Sequence, residues 1–205
     1  MLNSLLNAAT GWYVRRGLRA YHHYPADKTA VVLIDVQRAF VGSGQPLSGS
    51  LAELARLARS RGFLVIHAPI AADAGAPLQT PAHRQIERAL SRQADASDIA
   101  PAVGPSPSDV VFPARKTLSV FGLPETDALI EARGLEHLIL AGPLADLTVD
   151  SSLRDAAQRD LHITVVSDCL AASTPAALEL EVRHTMPRYA HLVTDLGDLK
   201  RRTGG

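Results

Sequence analysis

Cysteine is almost absent: the chain has one, Cys169, so it cannot form an internal disulfide and does not read as a disulfide-stapled secreted scaffold. An excess of charge is missing too, because 21 Lys plus Arg balance 21 Asp plus Glu. Without a net field there is no global attraction to nucleic acid or to an anionic membrane. No apolar run is long enough to span a bilayer, and no signal peptide with a cleavage site opens the chain. Aromatic residues are scarce, with one Trp, four Tyr and four Phe, so a crevice in this chain is largely aliphatic. These absences leave a cytoplasmic protein with no nucleic acid and no membrane as partner, and any partner must be inferred locally.

What the chain does have is alternation. Six short runs rich in β-branched residues occur at 29–35, 62–68, 109–113, 136–142, 161–167 and 190–194. Continuous apolar runs of this length suit strands covered on both faces. Helical periodicity fills 50–62, 125–134, 148–160 and 175–186, and alternation of this kind builds a parallel sheet with helices on both sides. The stretch 91–109 is polar and Pro-containing and reads as a loop. The fold expected is α/β: one three-layer, Rossmann-like domain with a six-stranded parallel sheet in the order 3-2-1-4-5-6. Residues 28–200 form this domain. Residues 1–27, with Arg15, Arg16 and Arg19 but no acid before Asp27, read as a helical extension that packs on its own domain or on a second subunit, the alternative being a membrane-surface or targeting helix.

In that strand order the first and fourth strands flank the point where the order reverses, and ligands collect outside the strand ends there. Asp35 ends the first strand in "VVLIDVQRAF", and "LILAGPLADLTVDSSLRDA" carries the fourth strand through a tight turn into a helix. Desolvation at a strand end raises a carboxylate's pKa and suits Asp35 to general acid or base work; the alternative is a turn or helix cap. Arg115 and Lys116 follow the third strand. A lysine there could tune a proton, whereas an arginine could only hold charge, and two solvated basic residues are the alternative. Thr148 sits at a helix start, where backbone N–H groups favour a developing anion, although an N-cap explains its residue type equally simply. The eight histidines show no recurring zinc spacing, so neither metal nor cofactor is expected. His67 reads as a hydrogen-bonded structural residue, the alternative being one that reaches the crevice, and Cys169 as a small buried one, the alternative being a displaced reactive thiol.

The order of aspartate, basic residue and strand-turn-helix resembles the isochorismatase-like hydrolases, also called the cysteine hydrolase superfamily, from about Lys28 to Thr194. "VVLIDVQRAF" is similar to the family's first motif, with its catalytic aspartate at Asp35 followed by Gln37 and Phe40. "SVFGLPETDALI" resembles the segment after the catalytic lysine, "ILAGPLADLTVDSSLRDA" the turn that displays the cysteine, and "ITVVSDCLAAST" the strand beyond it.

By this resemblance the cysteine position falls on Thr148, and the lysine position on Arg115 or Lys116. The implied catalytic set is Asp35, Lys116 and Thr148, with Arg115, Phe40, Phe121, Leu144 and Ala145 lining the substrate. Family amidases attack through the thiol. True isochorismatases lack it, because adding water to a vinyl ether needs acid–base groups and no covalent nucleophile. The resemblance therefore implies a small-molecule hydrolase that cleaves a vinyl ether or a C–N bond by chemistry centred on Asp35. One alternative is an inactive member that binds a ligand or a partner, and another is an amidase in which Thr148 or a relocated Cys169 attacks. The resemblance also implies a homo-oligomer and a cis bond between Pro143 and Leu144.

Overall fold

The computed structural model describes residues 24–72 and 80–204. Most of the expected N-terminal extension therefore lies outside the described residues. Six strands, β1 (Thr29–Ile34), β2 (Leu64–Ala68), β3 (Val110–Val111), β4 (His137–Gly142), β5 (His162–Leu170) and β6 (Leu192–Thr194), form one parallel sheet in the order β3-β2-β1-β4-β5-β6. This is the strand order that the sequence predicts. β1 and β4 are buried along their whole length, which is why they read as uninterrupted apolar runs. β3 covers only two residues of the run that announced it.

The helices are α1 (Pro46–Ser60), α2 (Pro81–Leu90), α3 (Pro124–Arg133), α4 (Asp150–Ala157), α5 (Pro175–Leu180) and α6 (Leu196–Thr203). Alternate residues of each strand feed two separate cores. Val31, Leu33 and Val65 face α1 and α6, where Leu51, Leu54, Ala55, Ala58, Leu196 and Leu199 close the layer. Ala30, Val32, Ile34 and Ile66 face the other way, onto Leu153 and Ala156 of α4 with Leu129 and Ile130 of α3. The spacing Leu51, Leu54, Ala55, Ala58 is one face of a 3.6-residue period, so α1 is held by packing more than by propensity. The helix α2 has no such stripe: Ile86 is its one buried residue. Its start is instead set by Pro81 in the first turn and by Thr80, whose hydroxyl accepts from the His83 N–H.

Two features bring the functional end of the sheet together. At Gly142, a Cβ would lie 2.2 Å from the Ile34 carbonyl oxygen, so only a residue without a side chain lets the ends of β1 and β4 approach. At the far side, His67 on β2 shares Asp109 with Arg59 of α1: His67 Nε2 lies 3.0 Å from Asp109 Oδ2, and Arg59 donates to both carboxylate oxygens. The Ser106 N–H donates to the same group. Burial alone would raise the Asp109 pKa, but these donors outweigh it and hold the carboxyl at about 2. The structural role read for His67 is thus the one it has in the fold.

Gly142→Ala is expected to lower stability by about 3 kcal/mol or more, since backbone must move to admit the methyl; an unchanged urea midpoint would refute the close-approach argument. Asp109 has a folded-state pKa below its unfolded one, so it stabilises the fold above about pH 4 and loses that contribution as pH falls through about 2. The size is roughly 2 kcal/mol at neutral pH. Asp109→Asn should be destabilised at pH 7 and lose less further stability than wild type between pH 4 and 2, as read by urea denaturation at each pH.

Candidate active site

β1 delivers Asp35 to the carboxyl end of the sheet, and the chain turns there at once. Asp35 has φ +55°, a left-handed conformation that Asp tolerates better than most residues. Its N–H donates to the Ala68 carbonyl at the end of β2, 3.1 Å away, and its carbonyl accepts from the Gln37 N–H at 2.7 Å. Gln37 then locks the turn. Its side chain donates to the Ile70 and Ser97 carbonyls and accepts from the Ile70 N–H. Gln37 belongs to the motif quoted from the sequence, yet nothing in its residue type announced this clamp between three loops.

The Asp35 carboxylate meets Arg115. The guanidinium donates from Nη1 to Oδ1 at 2.8 Å and from Nη2 to Oδ2 at 3.1 Å, a bidentate pair. The same two nitrogens donate to the Ala68 carbonyl at 2.6 Å and the Leu118 carbonyl at 3.1 Å. Asp35 is 0% exposed and Arg115 1%. Burial pushes the Asp35 carboxyl above its usual range, and the charge and hydrogen bonds of Arg115 act against that rise. Lys116, one residue on, is exposed; the basic group brought to Asp35 is Arg115.

Thr148 completes the cluster from the β4 side. Leu144 is the hub of the turn: its carbonyl accepts from the N–H groups of Leu147, Thr148 and Val149, at 3.2, 3.0 and 3.1 Å. The result is a widened turn over Ala145–Val149 that runs directly into α4. The helical path therefore begins before Thr148, which is not an N-cap. Thr148 is 0% exposed. Its hydroxyl lies near enough to Asp35 to help hold the carboxylate charge, yet it completes no hydrogen bond of regular geometry. The Ala145 N–H is also engaged, donating to the Ala171 carbonyl at 2.7 Å. Asp146 fastens the turn to Ser173, whose N–H and hydroxyl both donate to it.

The remaining sequence candidates are distributed unequally. Leu144 and Ala145 shape the turn, and Ala145 is buried in the core. Phe40 is half-buried on the loop after Asp35. Phe121 packs in the core of the α3 and α4 layer, with the Arg159 guanidinium 4.2 Å from its ring centroid, and is not among the contacts of Asp35. The Pro143–Leu144 bond, expected to be cis, is trans, as are all peptide bonds among the described residues. Cys169 is buried in the opposite layer, where burial pushes its thiol far above the usual range. No group of His, Cys, Asp or Glu among the described residues is placed to hold a metal ion.

The isochorismatase domain family matches residues 29–195. The chain belongs to the isochorismatase family. Ureidoacrylate amidohydrolase RutB of Methylorubrum extorquens is 24% identical over 203 residues, covering 84% of this chain and 82% of that protein. An uncharacterised isochorismatase family protein of Bacillus subtilis, YwoC, is 25% identical over 166 residues, covering 78% and 87%. Among solved structures, an isochorismatase family protein from Burkholderia thailandensis superposes with a TM-score of 0.74 at 22% identity, over 87% of this chain and 97% of that one. N-carbamoylsarcosine amidase from Thermoplasma acidophilum gives a TM-score of 0.63 at 24% identity, over 83% and 97%. Within this isochorismatase-like hydrolase fold, the cluster of Asp35, Arg115 and Thr148 stands where β1 and β4 part.

Removing Arg115 would leave a buried, unpaired carboxylate. Arg115→Ala is therefore expected to destabilise the fold by about 3 to 5 kcal/mol, with Arg115→Lys in between because it keeps the charge and loses the bidentate geometry. Equal urea midpoints for wild type and Arg115→Ala would show the pair to be dispensable.

Proposed function

We propose that this isochorismatase-family chain hydrolyses a small molecule without a covalent intermediate, and that the bond cleaved is a vinyl ether rather than an amide. In this reading Thr148 occupies the family's cysteine position and Arg115 its lysine position. The observation that carries the choice of bond is the state of the turn. Attack on an amide develops an oxyanion that needs unpaired donors, but the N–H groups of Ala145, Leu147, Thr148 and Val149 are all held by protein carbonyls. A threonine hydroxyl is also a poor nucleophile without a strong base. Some relatives carry the names amidohydrolase and amidase; this chain departs from amide chemistry on both counts.

Vinyl ether hydrolysis makes different demands. A carboxylic acid protonates the terminal carbon of the C=C bond, leaving an oxocarbenium ion. Water adds to the cationic carbon, its proton returns to the carboxylate, and the hemiketal collapses to a ketone and an alcohol. Asp35 is the group to give and retake the proton, and the burial that raises its pKa favours the acid form. Arg115 cannot donate a proton at any ordinary pH. It fixes the carboxyl's position and stabilises the carboxylate left after transfer. The Thr148 hydroxyl, which lies against the Asp35 carboxyl, orients the water.

A second reading, binding of a ligand or partner without turnover, is favoured by one observation: Arg115 engages both Asp35 oxygens, and the pair is at most 1% exposed. A hydrolysis screen separates the two. Purified wild type is expected to turn over isochorismate or another vinyl ether and to leave small amides intact. That turnover should vanish in Asp35→Asn and decline toward alkaline pH, as the acid form of Asp35 is lost. Amide turnover would overturn the choice of bond, and no turnover of either class would leave binding as the function.

A further inference from the structure

The amino end of the sheet, opposite the Asp35 cluster, gathers histidines. His137 opens β4 and His162 opens β5, and the two are register partners; His191 directly precedes β6. Their rings form a row. The His137 and His162 centroids are 4.7 Å apart, and His162 and His191 stack at 4.6 Å with planes 27° apart. Tyr24 packs against the first two at 5.8 and 6.1 Å. A cavity of about 270 Å³, lined by Glu136, His137, Asp160, His162 and His191, lies beside the row and brings water to it.

The ring of His191 takes the place of a backbone acceptor at the start of the β5–β6 pairing. The His191 N–H donates to the Ile163 carbonyl at 2.9 Å, and the Ile163 N–H donates in return to His191 Nδ1 at 3.1 Å. The first register pair, Thr164 with Leu192, follows at once. A ring nitrogen accepts only while it carries no hydrogen, so this bond requires a neutral His191 with its proton on Nε2. An imidazolium carries hydrogen on both nitrogens, and no rotation of the ring would then return an acceptor to Ile163. The surrounding groups do not offset that loss. Of the cavity's two acids, Glu136 is paired with Lys28 and Asp160 is exposed. The Tyr24 hydroxyl is engaged with Thr164, and Arg188, on the turn before His191, is exposed. Burial holds the His191 pKa below its ordinary value, and a charge on the stacked His162, or on His137 beyond it, would add like-charge repulsion.

We propose that His191 is a pH-sensitive latch: in mild acid its ring takes up a proton, the Ile163 N–H loses its acceptor, and the amino end of β6 parts from β5. The edge strand β6 suits such a device, being three residues long and half-buried throughout. Its other end stays tied, because Ser167 donates to the Thr194 carbonyl and the Leu196 N–H to Asp168. The opening is therefore local and reversible, and α6 keeps its place on the α1 layer through Leu196 and Leu199. The folded state favours the neutral ring, so the latch holds above the unfolded histidine value of about 6.5 and weakens as pH falls below it. It works whether or not Asp35 is a catalytic group.

The test is amide hydrogen exchange of the isotope-labelled full chain between pH 7.5 and 5, with each rate corrected for the intrinsic pH dependence of exchange. Protection at Ile163 is expected to fall by up to about tenfold per pH unit below about pH 6.5, the slope of one linked proton, while Val32 in the centre of the sheet keeps its protection. His191→Asn offers a carboxamide oxygen in place of Nδ1 and cannot titrate in this range, so its Ile163 protection should match wild type at pH 7.5 and stay level down to pH 5. His191→Leu, which has no acceptor, should leave Ile163 poorly protected at every pH. The same spectra report that each variant is folded. Level protection at Ile163 in wild type, an equal fall at Val32, or a wild-type slope retained in His191→Asn would overturn the latch.

Discussion

The bidentate pair between Asp35 and Arg115 is the contact on which the carboxyl end of the sheet depends. A carboxylate with no exposure is tenable only with a permanent cation against it, and the guanidinium does more than neutralise. Its two terminal nitrogens reach the Asp35 oxygens and also the carbonyls of Ala68 and Leu118. One planar group therefore ties the end of β1, the end of β2 and the loop after β3. The left-handed turn at Asp35 and the Gln37 clamp follow from it, because the chain must reverse abruptly to leave the carboxylate facing Arg115. An ammonium on a flexible stem could match the charge but not this four-way geometry.

The β4 side meets this fixed pair with a turn in which four donors are held by the protein. The Leu144 carbonyl gathers three N–H groups and Ala171 takes a fourth. The Thr148 hydroxyl lies against the Asp35 carboxyl. The close approach at Gly142, which brings β4 against Ile34, is what puts that hydroxyl within range of Asp35. Site chemistry and backbone packing are thus two consequences of one short strand separation.

Much of this was legible in the sequence, for identifiable reasons. β1 and β4 are buried on both faces, so their apolar runs had no other explanation, and the switch point followed from the strand order. Asp35 and Thr148 could be placed because they end or follow those strands. Choosing between Arg115 and Lys116 was beyond the sequence: adjacent residues on a loop differ in direction, and direction depends on the β3 to α3 backbone. The helix α2 was illegible because one buried residue, Ile86, makes no stripe. Thr148 read as an N-cap because a Thr before a helical pattern usually is one; a widened turn stabilised through a carbonyl four residues earlier leaves no residue-type signal.

The identity of the cation also constrains which reactions the fold can host. A lysine beside an aspartate and a nucleophile can exchange protons during a cycle, so the cluster can deprotonate one group while protonating another. An arginine keeps its proton throughout, leaving Asp35 as the group of this pair able to move a proton. Under the proposed reading, the proton returns to the residue that gave it within one turnover. Protonation of carbon followed by deprotonation of water meets that condition, because the same carboxyl serves both steps.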